Sequence, residues 1–226
     1  MNKIVYKFFN EPIILNQQFH YSIIIENPHL IQNFVMSLKN QIEYGDELLV
    51  YSTNDESKQS LPEACFITDL FNLSLSDKKI LNSLYKNIEH NYLQTRNDKY
   101  NEICNTILKF LNEMEDVIDL KIDYSNTFTM SSILKMADVK LIDDSSSLLE
   151  LLVNYIKTLN ELNNINLIFV INLNSCFDNN ELTLLYKELD LMKVDLINIA
   201  YSYKKPLNND KIIVIDDDLC EIDIGF

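Results

Sequence analysis

Glycine is nearly absent from this chain: only Gly45 and Gly225 occur among its 226 residues. A phosphate-binding loop needs several glycines, because its backbone N–H groups must wrap closely around a phosphate. The sequence therefore excludes the glycine-rich nucleotide loops. It excludes in the same way the Gly-x-Ser-x-Gly turn that presents a nucleophilic serine.

Long apolar runs and paired cysteines are also missing. No stretch approaches the roughly 18 apolar residues of a membrane span, and no basic-then-apolar leader opens the chain. We therefore expect a soluble, cytoplasmic protein with no membrane partner. The four cysteines are widely spread, without a Cys-x-x-Cys pair. This spacing favours buried reduced thiols over disulfides or a zinc site.

Positive charge is scarce. The chain has 19 Lys and Arg against 34 Asp and Glu, a net charge of −15, and Arg96 is its single arginine. Such a balance argues against nucleic-acid binding unless the lysines are concentrated on one surface. The basic candidates are Lys58 in a polar loop, Lys78 and Lys79 at the start of a helical region, and Lys204 and Lys205 after a strand. Isolated surface lysines are usually only solubilising.

The clearest structural signal is the apolar run at 165–175, which is typical of a strand buried on both faces of a parallel sheet. Helical patterns precede it at 145–162 and follow it at 178–192, and a second apolar run covers Leu196–Tyr201. This β-α-β rhythm predicts an α/β fold, with the rest of the chain packed around the first run. Residues 211–226 predict a terminal hairpin, so the sheet should be mixed at its edge.

The N-terminal part continues the α/β pattern. It contains a helix that Asn27 caps and Pro28 opens, and a polar loop at Ser52–Pro62. The strand-like runs are Lys3–Phe8, Ile13–Leu15, Phe19–Ile25, Leu48–Tyr51 and Cys65–Ile67.

A helical segment interrupts this pattern. Residues 76–118 contain neither Pro nor Gly, and their apolar residues repeat with helical spacing. We expect an antiparallel hairpin of two helices divided by the polar segment Gln94–Lys99, followed by a short helix at Thr129–Ala137. A strand at Val139–Ile142 then resumes the sheet. The predicted domains are an α/β head, 1–71 with 139–226, and a helical insertion, 72–138.

No catalytic constellation emerges. Residues 26–29, Glu-Asn-Pro-His, stand where a phosphate loop would lie, but proline lacks a donor and glutamate repels phosphate. Asn172, Asn174 and Ser175 follow the central strand where ATPases carry acidic metal ligands. We therefore expect no bound nucleotide, no catalytic residue and no enzymatic activity.

Acidic residues near the end of the long helical segment predict a cation site. Glu115, Asp119 and Asp123 share one face if the helix continues, and Asp138 is close in sequence. Several carboxylates without histidine suit a hard cation such as calcium. The alternatives are a solvated acidic helix face and a metal-dependent nuclease site.

The order of these elements resembles the ring-forming Csn protein family of type II-A CRISPR loci. The resemblance rests on NEPIIL, the strand–ENP–helix junction, CFITDLFNLSLSD, LIFVINLNSCFDNNEL and KVDLINIAYSYKKP. It implies a degenerate RecA/P-loop-like head with a mixed, mainly parallel sheet and an inserted helical leg. It also implies a homotetrameric ring and calcium ions in the leg.

The resemblance further implies function. Family members bind double-stranded DNA, favouring its ends, in the central hole, without reading sequence. They act in spacer acquisition, an antiviral defence, beside the integrase and the RNA-guided nuclease of the locus. Two departures stand out here: Ser52–Pro62 keeps only Lys58 of a lysine-rich loop, and Asp123 alone survives from an acidic cluster. A protein-interaction scaffold on a decayed ATPase fold is the alternative.

Overall fold

The computed structural model describes residues 2–16, 19–44, 49–53, 56–59, 64–115, 117, 121, 123–202, 207 and 210–222. The chain divides into two compact units, which are described separately. The first comprises residues 1–73 and 144–226, and the second comprises residues 74–143. The sequence analysis expects these boundaries at 71/72 and 138/139.

The first unit contains a six-stranded sheet with the strand order β10-β9-β3-β8-β7-β6. Its strands are β3 (His20–Ile25), β6 (Ala64–Ile67), β7 (Leu167–Ile171), β8 (Asp195–Ala200), β9 (Asp210–Ile215) and β10 (Glu221–Ile222). All neighbours are parallel except β9 and β10, which are antiparallel. The predicted α/β class with a mixed, mainly parallel sheet is therefore confirmed.

The apolar run at 165–175 forms β7, but it is not the centre of the sheet. β7 lies second from one edge, whereas β3 and β8 are the middle pair. Every residue of β3 and β8 is buried. The expectation that the chain packs around β7 is wrong, because an apolar run reports burial and not the order of strands.

A second, antiparallel sheet has the order β2-β1-β4-β5. Its strands are β1 (Asn2–Tyr6), β2 (Ile13–Leu15), β4 (Leu49–Thr53) and β5 (Glu56–Gln59). The loop predicted at 52–62 is thus wrong in part, because the polar residues of β5 pair with β4. Helix α1 (Pro28–Glu43) buries Phe34 and Leu38 in one core with both sheets. The Phe34 ring meets Tyr6 edge-on, with centroids 4.9 Å apart.

Three further helices belong to the first unit: α4 (Leu148–Asn163), α5 (Leu173–Cys176) and α6 (Asn179–Met192). α4 and α6 pack together and bury leucines such as Leu152 and Leu185. Both end on a left-handed residue that is not glycine, Asn164 with φ 55° and Lys193 with φ 57°. Glycine is favoured at such C-terminal positions, but in these two helices an asparagine and a lysine occupy them.

The second unit contains α2 (Lys78–Glu115) and α3 (Met130–Met136). The predicted division of this region into two helices at Gln94–Lys99 agrees with a kink at Arg96, whose φ of −144° and ψ of 39° are not helical. The strand predicted at Val139–Ile142 is wrong. Those residues form no strand and belong to this unit, where the Val139 carbonyl accepts a hydrogen bond from Tyr85 Oη at 2.8 Å.

Candidate nucleic-acid interface

The side chain of Asn27, at the junction between β3 and α1, caps the N-terminus of the helix. Asn27 Oδ1 accepts hydrogen bonds from the N–H groups of His29 and Leu30, both at 3.0 Å. The Asn27 carbonyl accepts one from Ile31 N–H at 3.0 Å, and Pro28 has no N–H to offer. The amides that would bind a phosphate at a helix N-terminus are therefore satisfied within the chain. The predicted helix cap is confirmed.

Hydrogen-bonded backbone and side-chain amide groups lie at the C-terminal end of β7. Asn172 adopts a left-handed conformation with φ 55°, and its N–H donates to the Ile199 carbonyl at 2.8 Å. The next N–H, of Leu173, donates to Asn198 Oδ1 at 3.0 Å, and Asn198 is 0% exposed. These amide groups supply no negative charge for a magnesium ion on nucleotide phosphates. In its described residues, this edge of the sheet therefore lacks the acidic ligands that the sequence comparison with ATPases also found missing.

Two of the predicted DNA-binding lysines are consecutive in the sequence and begin the same helix. Lys78 and Lys79 are the exposed first residues of α2, and Lys79 N–H donates to Asp77 Oδ1 at 3.1 Å. Two ammonium groups at the positive end of a helix produce a local positive potential. Lys58 lies on β5, at the edge of the antiparallel sheet of the other unit. Lys204 and Lys205 lie outside the described residues.

The predicted cation site is described only in part. Glu115 ends α2, and Asp119 falls outside the described residues. Asp123 is exposed and not helical, so it does not continue the helix face of Glu115. Asp138 is exposed, and its Oδ2 lies 3.0 Å from Lys140 Nζ. Among the residues with described positions, no three His, Cys, Asp or Glu side chains are grouped to hold a metal. The calcium site stays a prediction.

A polar cluster at the start of the parallel strands was not predicted from the sequence. We call His20, Ser22, Tyr186, Asp190 and Asp210 the polar cluster; its first three members are buried, whereas the Asp190 side chain is 43% exposed. The His20 ring packs on Tyr186 with centroids 4.4 Å apart, and its Nε2 lies 3.2 Å from Asp190 Oδ1. Ser22 Oγ donates to Asp210 Oδ1 at 3.2 Å. A polar residue at every second position of an apolar strand, His20 and Ser22, was the available signal.

Burial changes the ionisation of this cluster. It raises the pKa of the Asp210 carboxyl to about 7, with the Ser22 hydrogen bond acting in the opposite direction. Burial, and then the negative charge of Asp210, raises the pKa of Tyr186. Burial lowers the pKa of His20, while the Asp190 carboxylate partly offsets that change. The first unit thus contains an acid and a histidine whose charged forms are both disfavoured by desolvation.

The described residues together define a class of protein. It is an α/β protein with a mainly parallel sheet and a separate helical unit, and an asparagine caps the helix that follows β3. In the described part of the chain, no helix is both long and apolar enough to cross a membrane.

Comparison with known proteins identifies the family. The family described as CRISPR-associated protein (Cas_Csn2) matches residues 41–219, which is well over half of the chain. The chain therefore belongs to the Cas_Csn2 family of CRISPR-associated proteins. This confirms the resemblance drawn from the sequence. Among curated proteins, none matches the chain.

The raised pKa of Asp210 predicts a pH-dependent stability. Between about pH 4 and pH 7 the native state binds the Asp210 proton more tightly than the unfolded chain does, so this contribution to stability falls as pH rises. Asp210→Asn removes this pH-dependent contribution. The free energy of unfolding of the variant should therefore rise relative to that of the wild type through this window, by about 2–4 kcal/mol above pH 7. Urea unfolding at pH values from about 4.5 to about 8 measures this difference, because the series covers the window of about pH 4 to 7 and the range above it.

The matched control is Asp144→Asn, at an exposed aspartate of the same unit. Its difference from the wild type should stay small and nearly constant with pH. A pH-independent difference for Asp210→Asn would show that the buried carboxyl does not titrate in this range.

Proposed function

We propose that the chain is a non-catalytic, ring-forming protein that binds double-stranded DNA, preferring its ends, in CRISPR adaptation. Membership of the Cas_Csn2 family carries this proposal. In it, the first unit is a degenerate RecA/P-loop-like head and the second unit is the helical leg. The protein works in the cytoplasm beside the integrase and the RNA-guided nuclease of its locus during spacer acquisition.

The closed β3–α1 junction supports a role without nucleotide. The amides of His29 and Leu30, which have no partner within the helix, both donate to Asn27 Oδ1, so a bound phosphate would have to displace this cap. Losing an N-cap costs about 1 kcal/mol, and the amides would then have to approach a phosphate without glycine. DNA binding needs neither a phosphate loop nor a catalytic group, because exposed lysines contact the duplex backbone.

A partly exposed apolar stripe along the second half of α2, continued by Val117 just beyond the helix, supports assembly. The stripe is Tyr100, Ile103, Ile107, Phe110, Met114 and Val117. Its members follow one another at alternating spacings of three and four residues, the pattern of a coiled-coil seam. Four of them are exposed, and Phe110 is 60% exposed. Exposed apolar side chains in this pattern favour a second helix as their partner, and in a homotetramer another copy of the chain supplies it.

Phe110→Glu tests this seam. A charged side chain at its centre should dissociate the tetramer, because burying an unpaired carboxylate is costly. Size-exclusion chromatography with light scattering measures the molar mass. The control is Phe71→Glu, which also changes an exposed phenylalanine, 76% exposed, but lies in the first unit. A monomeric wild type, or equal masses for both variants, would argue against assembly through α2.

The DNA-binding role is tested on the described lysine pair. Lys78→Ala combined with Lys79→Ala should weaken binding to a linear duplex and lower the slope of log affinity against log salt by about one per lost phosphate contact. Two duplexes of unrelated sequence should respond alike. Fluorescence anisotropy across a salt series measures both quantities.

The control for the lysine pair is Lys157→Ala with Lys187→Ala, at exposed lysines of α4 and α6. This variant should keep the affinity and the salt slope of the wild type. An equal loss in both double variants would indicate diffuse attraction instead of a defined surface. A wild type that ignores duplex at low salt would overturn the proposal.

Calcium binding by Glu115, Asp119, Asp123 and Asp138 forms part of the proposal. Exposed carboxylates suit calcium, which accepts six to eight oxygen ligands. Asp123→Asn with Asp138→Asn should weaken calcium binding in isothermal titration calorimetry, because two negative ligands are neutralised. Asp144→Asn, at an exposed aspartate of the first unit, should not. Unchanged heats in the double variant would remove these two residues from the site.

The second candidate function is a protein-interaction scaffold on a decayed ATPase fold. The segment Ser52–Pro62 favours it, because Lys58 is its one basic residue beside Asp55 and Glu56. A wild type that binds neither linear nor circular duplex, yet assembles normally, would favour the scaffold over the DNA-binding ring.

A further inference from the structure

A cleft of about 680 Å³ lies beside α1 in the first unit. One wall is the chain at the end of β1, Tyr6 to Phe8. The other wall is a face of α1, and Leu219 of the β9–β10 turn contributes to the lining. The volume is in the range of ligand-binding pockets, roughly 300–1,000 Å³. The described lining of this cleft contains none of the lysines or carboxylates of the proposed function.

The α1 wall presents polar side chains at helical spacing. His29, Asn33, Ser37 and Asn40 recur every three or four residues and so share one face. From the first to the last they span about 16 Å of helix, at about 1.5 Å per residue. An extended chain of about five residues covers the same length at about 3.3 Å each. Carboxamide groups both donate and accept hydrogen bonds, as a peptide backbone requires.

The charge of the cleft is opposite to that of the chain. Its described lining contains no Asp or Glu, although the whole chain carries −15. Lys7 supplies a cation, with Nζ 4.5 Å from the centre of the Phe8 ring. Met36 adds an apolar contact, since its side chain is 54% exposed. Amides, one cation and apolar surface together complement an acidic and apolar ligand.

We propose that this cleft binds an extended peptide segment of a partner protein, with an acidic side chain beside Lys7 and a large apolar side chain at Met36. A duplex fits less well. Its backbone carries a negative charge about every 1.7 Å of helix axis and needs several cations, whereas one lysine lines the described cleft.

A displayed library of random seven-residue peptides, selected on the full-length protein, provides the probe. Selected sequences should combine Asp or Glu with Leu, Ile, Met or Phe. A labelled synthetic peptide of the best sequence should lose affinity by about tenfold or more with Lys7→Glu, because attraction becomes repulsion. Met36→Ala should also weaken binding, measured by fluorescence polarisation.

Lys3→Glu is the matched control. It reverses the charge of an exposed lysine on β1, four residues before Lys7 and outside the cleft lining. Its peptide affinity should stay within about twofold of the wild type. Selection without acidic peptides, or equal affinity with Lys7→Glu, would overturn the proposal. Duplex affinity is measured on the same variants and should not change. If Lys7→Glu weakens duplex binding as strongly as peptide binding, the cleft binds DNA and the peptide proposal fails.

Discussion

The hydrogen bonds of Asn27 limit what this fold can bind. Its side-chain oxygen holds two amides of α1 at 3.0 Å, and Pro28 removes a third donor. In a parallel α/β sheet this junction is where phosphates usually bind, and here the protein itself fills it. At the end of β7 the backbone amides are likewise bonded within the chain, because Asn172 N–H donates to the Ile199 carbonyl and Leu173 N–H donates to Asn198 Oδ1. The first turn of α1 therefore offers no unbonded amide to a ligand, whereas lysines and apolar side chains are exposed elsewhere on the described surface.

A net charge of −15 sets the second constraint. Screening limits the reach of each surface charge to about 8 Å at physiological salt. A local group of lysines can therefore attract a phosphate backbone while carboxylates farther away repel it elsewhere. Assembly multiplies any lysine that faces a common axis, so symmetry can concentrate positive charge that one chain lacks. On this account the acidic exterior contributes to specificity by leaving the duplex a single favourable location.

Periodicity predicted most of the elements that bury apolar surface. The helices α1, α4 and α6 and the strands β3 and β8 follow the predicted segments, because their apolar spacing reflects which face is buried. The failures have other causes. β5 is polar, Glu-Ser-Lys-Gln, and owes its structure to the pairing with β4. The polar segment around Arg96, by contrast, contains the kink between two helices that its lack of apolar residues predicted.

The candidate sites were less predictable. The sequence identified lysines and carboxylates by type, but it did not show which of them share a surface. It also did not indicate the polar cluster, in which His20 and Asp190 are 170 positions apart and meet only because α6 packs on β3. Contacts of this kind depend on strand order, which local patterns do not encode. The cleft beside Lys7 likewise depends on long-range packing, because segments distant in the sequence, the end of β1, α1 and the turn at Leu219, form its walls.

The central claim is that several copies of the chain close around a duplex that enters by its end. Native mass spectrometry in calcium, with a linear duplex and a covalently closed minicircle of the same sequence and length, tests it most directly. The account predicts four copies on the linear duplex and little binding to the circle. Equal binding to both DNAs, or one copy on each, would contradict it.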